Sequence, residues 1–111
     1  MVSDDNDAHM ASDQTKSSSG MSPYTVFRQE IDRMDVEILS LLNQRALMAL
    51  RIGELKRQRN EPIHVPERED AILSGLRGAN PGPLSGTAVT RIFQTIIEQV
   101  RGLEQEQHEE K

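Results

Sequence analysis

Apolar side chains recur every three or four residues from Tyr24 to about Arg59. This spacing predicts one apolar stripe along a single helix, formed by Phe27, Ile31, Met34, Ile38, Leu41, Met48, Ile52 and Leu55. Arg45 occupies a position of the stripe where an apolar residue is expected. At about 1.5 Å per residue the helix would be roughly 50 Å long, more than a small domain needs for its own core. The spare apolar surface favours pairing with a second copy of the chain.

The ends of this long helix are marked by ordinary helix signals. Ser22 suits the N-cap position, and Pro23 suits the first helical position, where no amide donor is needed. Residues 60–62 end the helix. Gly53 lies inside it at a cost of about 1 kcal/mol relative to Ala, so we expect another element to pack closely there.

Two shorter helices are predicted after the long one. Residues 62–66 should be extended, because each proline disfavours helix in the residue before it, and His64 is interpreted there as a surface residue. The second helix opens at Pro66 and ends near Gly78, and the third follows Ser85, an N-cap residue. Their apolar faces comprise Ile72, Leu73 and Leu76, and then Val89, Ile92, Phe93, Ile96, Ile97, Val100 and Leu103. The predicted fold is all-α, with one long, one short and one medium helix.

The chain is expected to have polar ends around one folded domain. Residues 1–20 are small and polar without a periodic apolar face, which predicts disorder. They read either as a leader appended for expression or as a natural extension. Residues 21–104 form the predicted helical domain, and residues 105–111 form a polar tail in which the third helix frays.

Composition excludes several classes of function. The 111 residues include no cysteine, which rules out disulfides and thiol chemistry and favours a reducing, cytoplasmic compartment. No run of 18 apolar residues exists, so no membrane span is predicted. The net charge of -5 leaves no basic surplus for general nucleic-acid binding, although local cations can still bind an anion.

Four charged residues fall on faces that the pattern predicts to be apolar. Arg45 and Lys56 project from nearly the same side of the long helix, roughly 16 Å apart. Glu69 lies on the inward face of the second helix and Glu104 on that of the third. Buried charges need compensation. Either they form the internal ion pairs Arg45–Glu69 and Lys56–Glu104, or they surround a pocket for an anionic ligand.

The position of Arg28 indicates that a second chain takes part in the site. It lies about 100° around the long helix from Arg45 and roughly 25 Å away, so the two cannot meet around a small ligand within one chain. In an antiparallel pair of long helices, Arg28 of one chain would approach the region of Arg45 and Lys56 in the other.

Three segments together resemble the all-helical (AroQ) class of chorismate mutase. They are FRQEIDRMDVEILSLLNQRALMALRIGELK, PIHVPERED and RIFQTIIE, and the resemblance covers about residues 24–104. The matching positions are Arg28, Ile31, Asp32, Asp35, Leu41, Leu42, Arg45, Gly53, Lys56, Arg68 and Glu69. Each piece is weak alone, whereas the joint pattern at these intervals is specific.

The resemblance implies an intertwined homodimer of three-helix chains that converts chorismate to prephenate on the route to phenylalanine and tyrosine. This reaction is an intramolecular Claisen rearrangement, so it implies no nucleophile, metal or cofactor. The protein must hold a dicarboxylate in a compact conformer and stabilise charge on the breaking ether oxygen, which calls for fixed cations in a dry pocket.

The resemblance also implies a role for each matching polar residue. Arg45 and the partner chain's Arg28 would clamp the two carboxylates, as the planar guanidinium suits. Lys56 would reach a carboxylate and the ether oxygen. Glu69 would accept the hydrogen bond of the substrate hydroxyl, and Arg68 would line the same end of the pocket or remain a solvated cation.

Three positions depart from the family pattern. Val65 stands where well-studied members have Asp, so only backbone contacts remain there. Val100 stands where many have Ser, which removes a hydroxyl from the predicted pocket wall. Glu104 stands where the partner of the ether oxygen is often Gln. A protonated Glu104 can donate to that oxygen, whereas an ionised one repels the charge that develops on it.

Glu104 therefore predicts pH-dependent activity. Apolar neighbours on the third helix should raise its pKa, and Lys56 should lower it. Activity should increase as the pH falls below neutral, and Glu104→Gln should extend activity to higher pH.

Two other functions fit the same residues. One is an isochorismate-pyruvate lyase, which shares the fold, the cationic pocket and pericyclic chemistry. The other is a non-catalytic dimerisation or regulatory module that associates with another enzyme of the aromatic pathway, an alternative that Val65 and Val100 favour.

Overall fold

The computed structural model describes residues 22–109. The expected disorder of residues 1–20 lies outside the described residues. Contacts divide the chain into two compact units, one ending at Ser40 and the other beginning at Leu41. A single helix is continuous through this boundary.

Three helices account for the regular structure of residues 22–109, and no strand occurs among them. Helix α1 spans Pro23–Gln58, α2 spans Pro66–Ala79 and α3 spans Gly86–Glu109. The predicted order of one long, one short and one medium helix is confirmed. No helix in the described part of the chain is long and apolar enough to cross a membrane.

The first unit contains the N-terminal part of α1, which Ser22 caps as predicted. The Thr25 amide donates to Ser22 Oγ at 3.3 Å and to the Ser22 carbonyl oxygen at 3.0 Å. Thr25 is buried against this cap. Further along this part of α1, Arg33 forms an exposed ion pair with Glu30. Side-chain capping satisfies an amide that the helix cannot pair itself, so this end of α1 is defined locally.

The C-terminal end of α1 lies in the second unit and closes with a left-handed residue. Asn60 has φ 57°, a conformation that Asn tolerates better than most residues. The Glu61 amide donates to the Lys56 carbonyl oxygen at 2.8 Å, and the Asn60 amide donates to that of Arg57 at 3.2 Å. This pair of bonds is a Schellman motif, and it turns the chain at Asn60, about one helical turn after Lys56.

Helices α2 and α3 pack against each other in the second unit. Contacts join the start of α2 to the end of α3, through Glu69 and Arg101, and the end of α2 to the start of α3, through Arg77 and Thr90. The two helices are therefore antiparallel. Leu73 and Val89 are the most deeply buried apolar side chains of this layer.

The starts of α2 and α3 follow the predicted signals. Val65 is extended before Pro66, with φ -124° and ψ 97°, and it caps α2 without a side-chain bond. Ser85 Oγ accepts the Ala88 amide at 3.0 Å at the start of α3. The far end of α3 differs from prediction, because the helix continues through Glu109 instead of fraying from Gln105. Gln and Glu are good helix formers, and no Gly or Pro interrupts them.

The apolar stripe of α1 remains largely exposed. The side chains of Phe27, Ile31, Met34, Ile38, Leu41, Met48, Ile52 and Leu55 are each between 48% and 66% exposed. Apart from Arg45, the stripe is apolar, and so many exposed apolar side chains on one helix are unusual for a monomer.

Candidate active site

A cavity of about 250 Å³ lies within the second unit. Its apolar wall is formed by Met48, Ala49, Ile52, Ile63 and Ile72. Its charged lining consists of three cations and one carboxyl group, namely Arg45, Lys56, Arg68 and Glu104. A small site with an apolar wall and a few convergent polar groups is typical of a small-molecule pocket.

Arg45 and Lys56 both line the cavity, as their shared side of α1 predicts. Arg45 makes no ion pair and no side-chain hydrogen bond with any residue from 22 to 109, although it is half-buried. The alternative of an internal Arg45–Glu69 pair is wrong, since Glu69 pairs with Arg101. The charge of Arg45 is thus available to an anion in the cavity.

Glu104 approaches α1 at Gly53, where the sequence predicts close packing. A Cβ atom placed on Gly53 would lie 3.3 Å from Glu104 Oε2. Burial raises the pKa of the Glu104 carboxyl above its ordinary value, and the charges of Lys56 and Arg101 oppose that increase. Within the described chain no salt bridge joins Lys56 to Glu104, so the second internal pair also does not form.

Glu69 is held by two basic side chains at the start of α2. The Arg101 guanidinium donates to Glu69 Oε2 and forms an ion pair with it. Nε2 of His64 lies 3.2 Å from the same oxygen. The hydrogen bond and the charge of Arg101, together with His64, keep the pKa of Glu69 below its usual value despite some opposing desolvation.

Arg101 was not predicted from the sequence, whereas His64 is exposed, as interpreted there, and also contacts Glu69. A signal for Arg101 existed, because it lies four residues after Ile97 and three before Glu104, on the inward face of α3. No comparable spacing marks His64, which lies in the irregular link before α2.

Four other predicted site residues do not line this cavity. Glu69 lies beside Arg68, which does. Val65 and Val100 are half-buried, the former as the cap of α2. Arg28 belongs to the first unit, where its guanidinium carbon lies 5.9 Å from the centre of the Tyr24 ring.

The cavity can bind an organic anion that carries more than one carboxylate. Three cations can provide charge-assisted hydrogen bonds to such carboxylates. Burial raises the pKa of the Glu104 carboxyl, and its protonated form can donate a hydrogen bond. Among residues 22–109, no group of His, Asp and Glu side chains could hold a metal ion.

Comparisons with known proteins agree on one family. Residues 27–105 match the model of the family described as chorismate mutase type II. The chain is 47% identical over 81 residues to a bifunctional chorismate mutase/prephenate dehydratase of Aquifex aeolicus, covering 69% of this chain but only 22% of that protein. The chain thus spans about a fifth of the length of the bifunctional relatives it matches.

Shorter relatives are covered almost completely. A chorismate mutase of Methanocaldococcus jannaschii is 33% identical over 84 residues, which cover 75% of this chain and 85% of that protein. The structure of a chorismate mutase from Thermus thermophilus superposes with a TM-score of 0.74 at 32% identity, covering 76% of this chain and 96% of that one. The region that matches the family model includes most of all three helices. The chain belongs to the chorismate mutase type II family.

Proposed function

We propose that the protein is a cytoplasmic chorismate mutase that rearranges chorismate to prephenate in the synthesis of aromatic amino acids. The observation that carries this proposal is the cavity, which is lined by three cations, a carboxyl of raised pKa and several apolar side chains. Family membership supports it, since relatives of this region are named chorismate mutases.

The rearrangement takes place within one molecule. The ether C–O bond of chorismate breaks while a C–C bond forms between the side chain and the ring, and no atom is gained or lost. Arg45 would hold one carboxylate through its guanidinium, and Lys56 would reach a carboxylate and the ether oxygen. Holding both ends in a compact conformer supplies the proximity that such a reaction needs.

Glu104 would act on the ether oxygen. Negative charge grows on this oxygen as the C–O bond breaks, so a proton-bearing donor stabilises the transition state more than the ground state. The raised pKa keeps a larger share of Glu104 protonated than an ordinary glutamate would have. Gly53 lets the carboxyl reach this position beside α1.

A homodimer completes the proposed site. The exposed apolar stripe of α1 would pack against the same stripe of a partner chain, and two-fold pairing gives each chain the same contacts. An intertwined arrangement would bring Arg28 of the partner chain to the second carboxylate. We extend the proposal to association with a further enzyme of the pathway, because relatives named for two activities join chorismate mutase to prephenate dehydratase.

A direct assay tests the proposal. The protein should consume chorismate, measured by loss of its ultraviolet absorbance, and should form prephenate. Arg45→Ala should lower kcat/KM by about 100-fold, since it removes a charge-assisted clamp. Arg51→Ala provides the matched control, because Arg51 is exposed on α1 and does not line the cavity.

The same assay separates the alternatives. Release of pyruvate from isochorismate, with chorismate unchanged, would assign the lyase activity instead. A folded protein inactive on both substrates would favour the non-catalytic module. Retained activity in Arg45→Ala would reject this cavity as the active site.

A further inference from the structure

The carboxylate of Glu69 is fixed through one of its two oxygens. Arg101, in α3, donates to Oε2. His64 belongs to the link before α2, and its Nε2 lies 3.2 Å from the same oxygen. Oε1 accepts no hydrogen bond from any residue that the structure describes. A carboxylate oxygen accepts more than one hydrogen bond, so Oε1 keeps its full capacity for a ligand.

Glu69 lies next to the cavity along α2. Arg68 precedes it and lines the cavity, and Ile72, three residues later on the same side of the helix, lines it as well. The side chain of Glu69 is 26% exposed, so the carboxylate is accessible at this edge. Without Arg101 the carboxylate could rotate among several orientations, because terminal torsions of Glu are broad.

We propose that Arg101 is a positioning residue for substrate recognition: its ion pair with Glu69 Oε2 orients Oε1 to accept the hydrogen bond of the substrate's ring hydroxyl. This inference rests on the proposed chorismate mutase activity. Arg101 acts through Glu69, and it ties α3 to α2 at the point where recognition takes place. A guanidinium suits this role, because its fork is planar and always charged.

Among the charged groups around Glu69, Arg101 makes the strongest contact with its carboxylate. His64 contacts the same oxygen but is about half exposed, at 49%. Arg68 lines the cavity beside Glu69, and no hydrogen bond or ion pair joins it to Glu69 within the described chain. Arg101 also lies near Glu104, which faces Lys56 from α1. Loss of Arg101 is therefore expected to affect the orientation of Glu69 more than any other single change.

A pair of substrates tests the inference. Wild-type protein should prefer chorismate over an analogue that lacks only the ring hydroxyl by about 10- to 100-fold in kcat/KM, the range expected for one hydrogen bond to a charged group. Arg101→Gln should lose most of this preference by slowing chorismate, while its kcat/KM for the analogue changes by less than about threefold. Glu69→Ala, which removes the acceptor, should lose the preference too, and combining it with Arg101→Gln should add little.

Control variants separate positioning from stability. Arg91→Gln removes an exposed arginine from the same helix and should keep the wild-type preference. Arg101→Lys retains the charge without the fork, so it should keep the fold and show an intermediate preference, and it replaces Arg101→Gln if that variant does not fold. Thermal unfolding of each variant measures the structural effect independently.

The outcomes distinguish this inference from the proposed function. If Arg101→Gln, or Arg101→Lys in its place, slows both substrates equally, Arg101 is only a structural tie and the inference is overturned. Equal rates of wild-type protein on the two substrates would also overturn it, with the mutase activity intact. Wild-type protein inactive on chorismate would instead refute the proposed function on which the inference rests.

Discussion

The carboxyl of Glu104 in α3 lies directly against the backbone of Gly53 in α1, since a Cβ atom on Gly53 would lie 3.3 Å from Glu104 Oε2. Only a residue without a side chain leaves the carboxyl in this place. The relationship connects a local feature of α1 to the group that we propose acts on the ether oxygen.

Gly53→Ala should therefore separate activity from stability. The added methyl group pushes the Glu104 carboxyl by a few tenths of an ångström, and we expect kcat/KM to fall by about tenfold, since small misplacements are costly in catalysis. Stability measured by urea unfolding should change little, because the helical preference of Ala, about 1 kcal/mol over Gly, offsets the crowding.

Gly75→Ala is the matched control for this substitution. Gly75 lies inside α2, and a Cβ atom there would meet nothing within 4 Å. The variant should be more stable by about 0.5–1 kcal/mol with unchanged kinetics. Equal activity of the two variants would show that the position of Glu104 does not limit the reaction.

Glu104→Gln should change the pH profile of the reaction. Burial raises the pKa of Glu104, so the protonated donor is present at low pH and is lost as the pH increases through this raised value. Wild-type kcat/KM should accordingly fall with increasing pH. The Gln side chain donates without titrating, and the profile of the variant should be flat over the same range. Two superimposable profiles would exclude a donor role for Glu104.

Mixing two inactive variants should restore activity if the partner chain supplies Arg28. Arg28→Ala and Arg45→Ala should each be nearly inactive alone. After the subunits exchange, each mixed dimer contains one site with both arginines intact, so about a quarter of the wild-type activity should return. Mixed dimers that remain inactive would contradict supply in trans, provided that native mass measurements show the exchange.

Arg101→Gln should reduce the sensitivity of the fold to acid. The pKa of Glu69 is lowered in the folded chain, so its contribution to stability is present above its ordinary pKa of 4.5 and is lost as the pH falls toward the lowered value. Removing Arg101 returns the folded pKa toward the unfolded one. It also removes a cation that lowers the pKa of Glu104. The folded pKa of Glu104 then lies further above the unfolded one, which also makes the fold less sensitive to acid.

This stability prediction is measured by urea midpoints at about pH 7 and about pH 4. The difference between the two midpoints should be smaller in Arg101→Gln than in wild-type protein. Arg91→Gln should keep the wild-type difference, since Arg91 lies exposed on the same helix. An unchanged difference in Arg101→Gln would show that the ion pair with Glu69 is not formed in solution.

The helices could be predicted because their signals are local. Ser22 and Ser85 cap their helices through neighbouring amides, and proline fixes the start of α2 at Pro66. The end of α3 was the exception, since a polar sequence of good helix formers carries no stop signal. Helical spacing also placed Arg45 and Lys56 on one side of α1, and both line the cavity.

The sequence by itself determined the number and order of the helices, their apolar faces and the family resemblance, because each depends on spacing within one segment. Only the tertiary structure decided the partners of the charges. Glu69 could have paired with Arg45, but it pairs with Arg101, which is 32 residues away in the chain. Pairing of this kind depends on how α2 and α3 pack, and helical periodicity contains no information about the distance between helices. The approach of α3 to the C-terminal part of α1 likewise brings Glu104 onto Gly53, and the burial of Glu104 raises the pKa of its carboxyl.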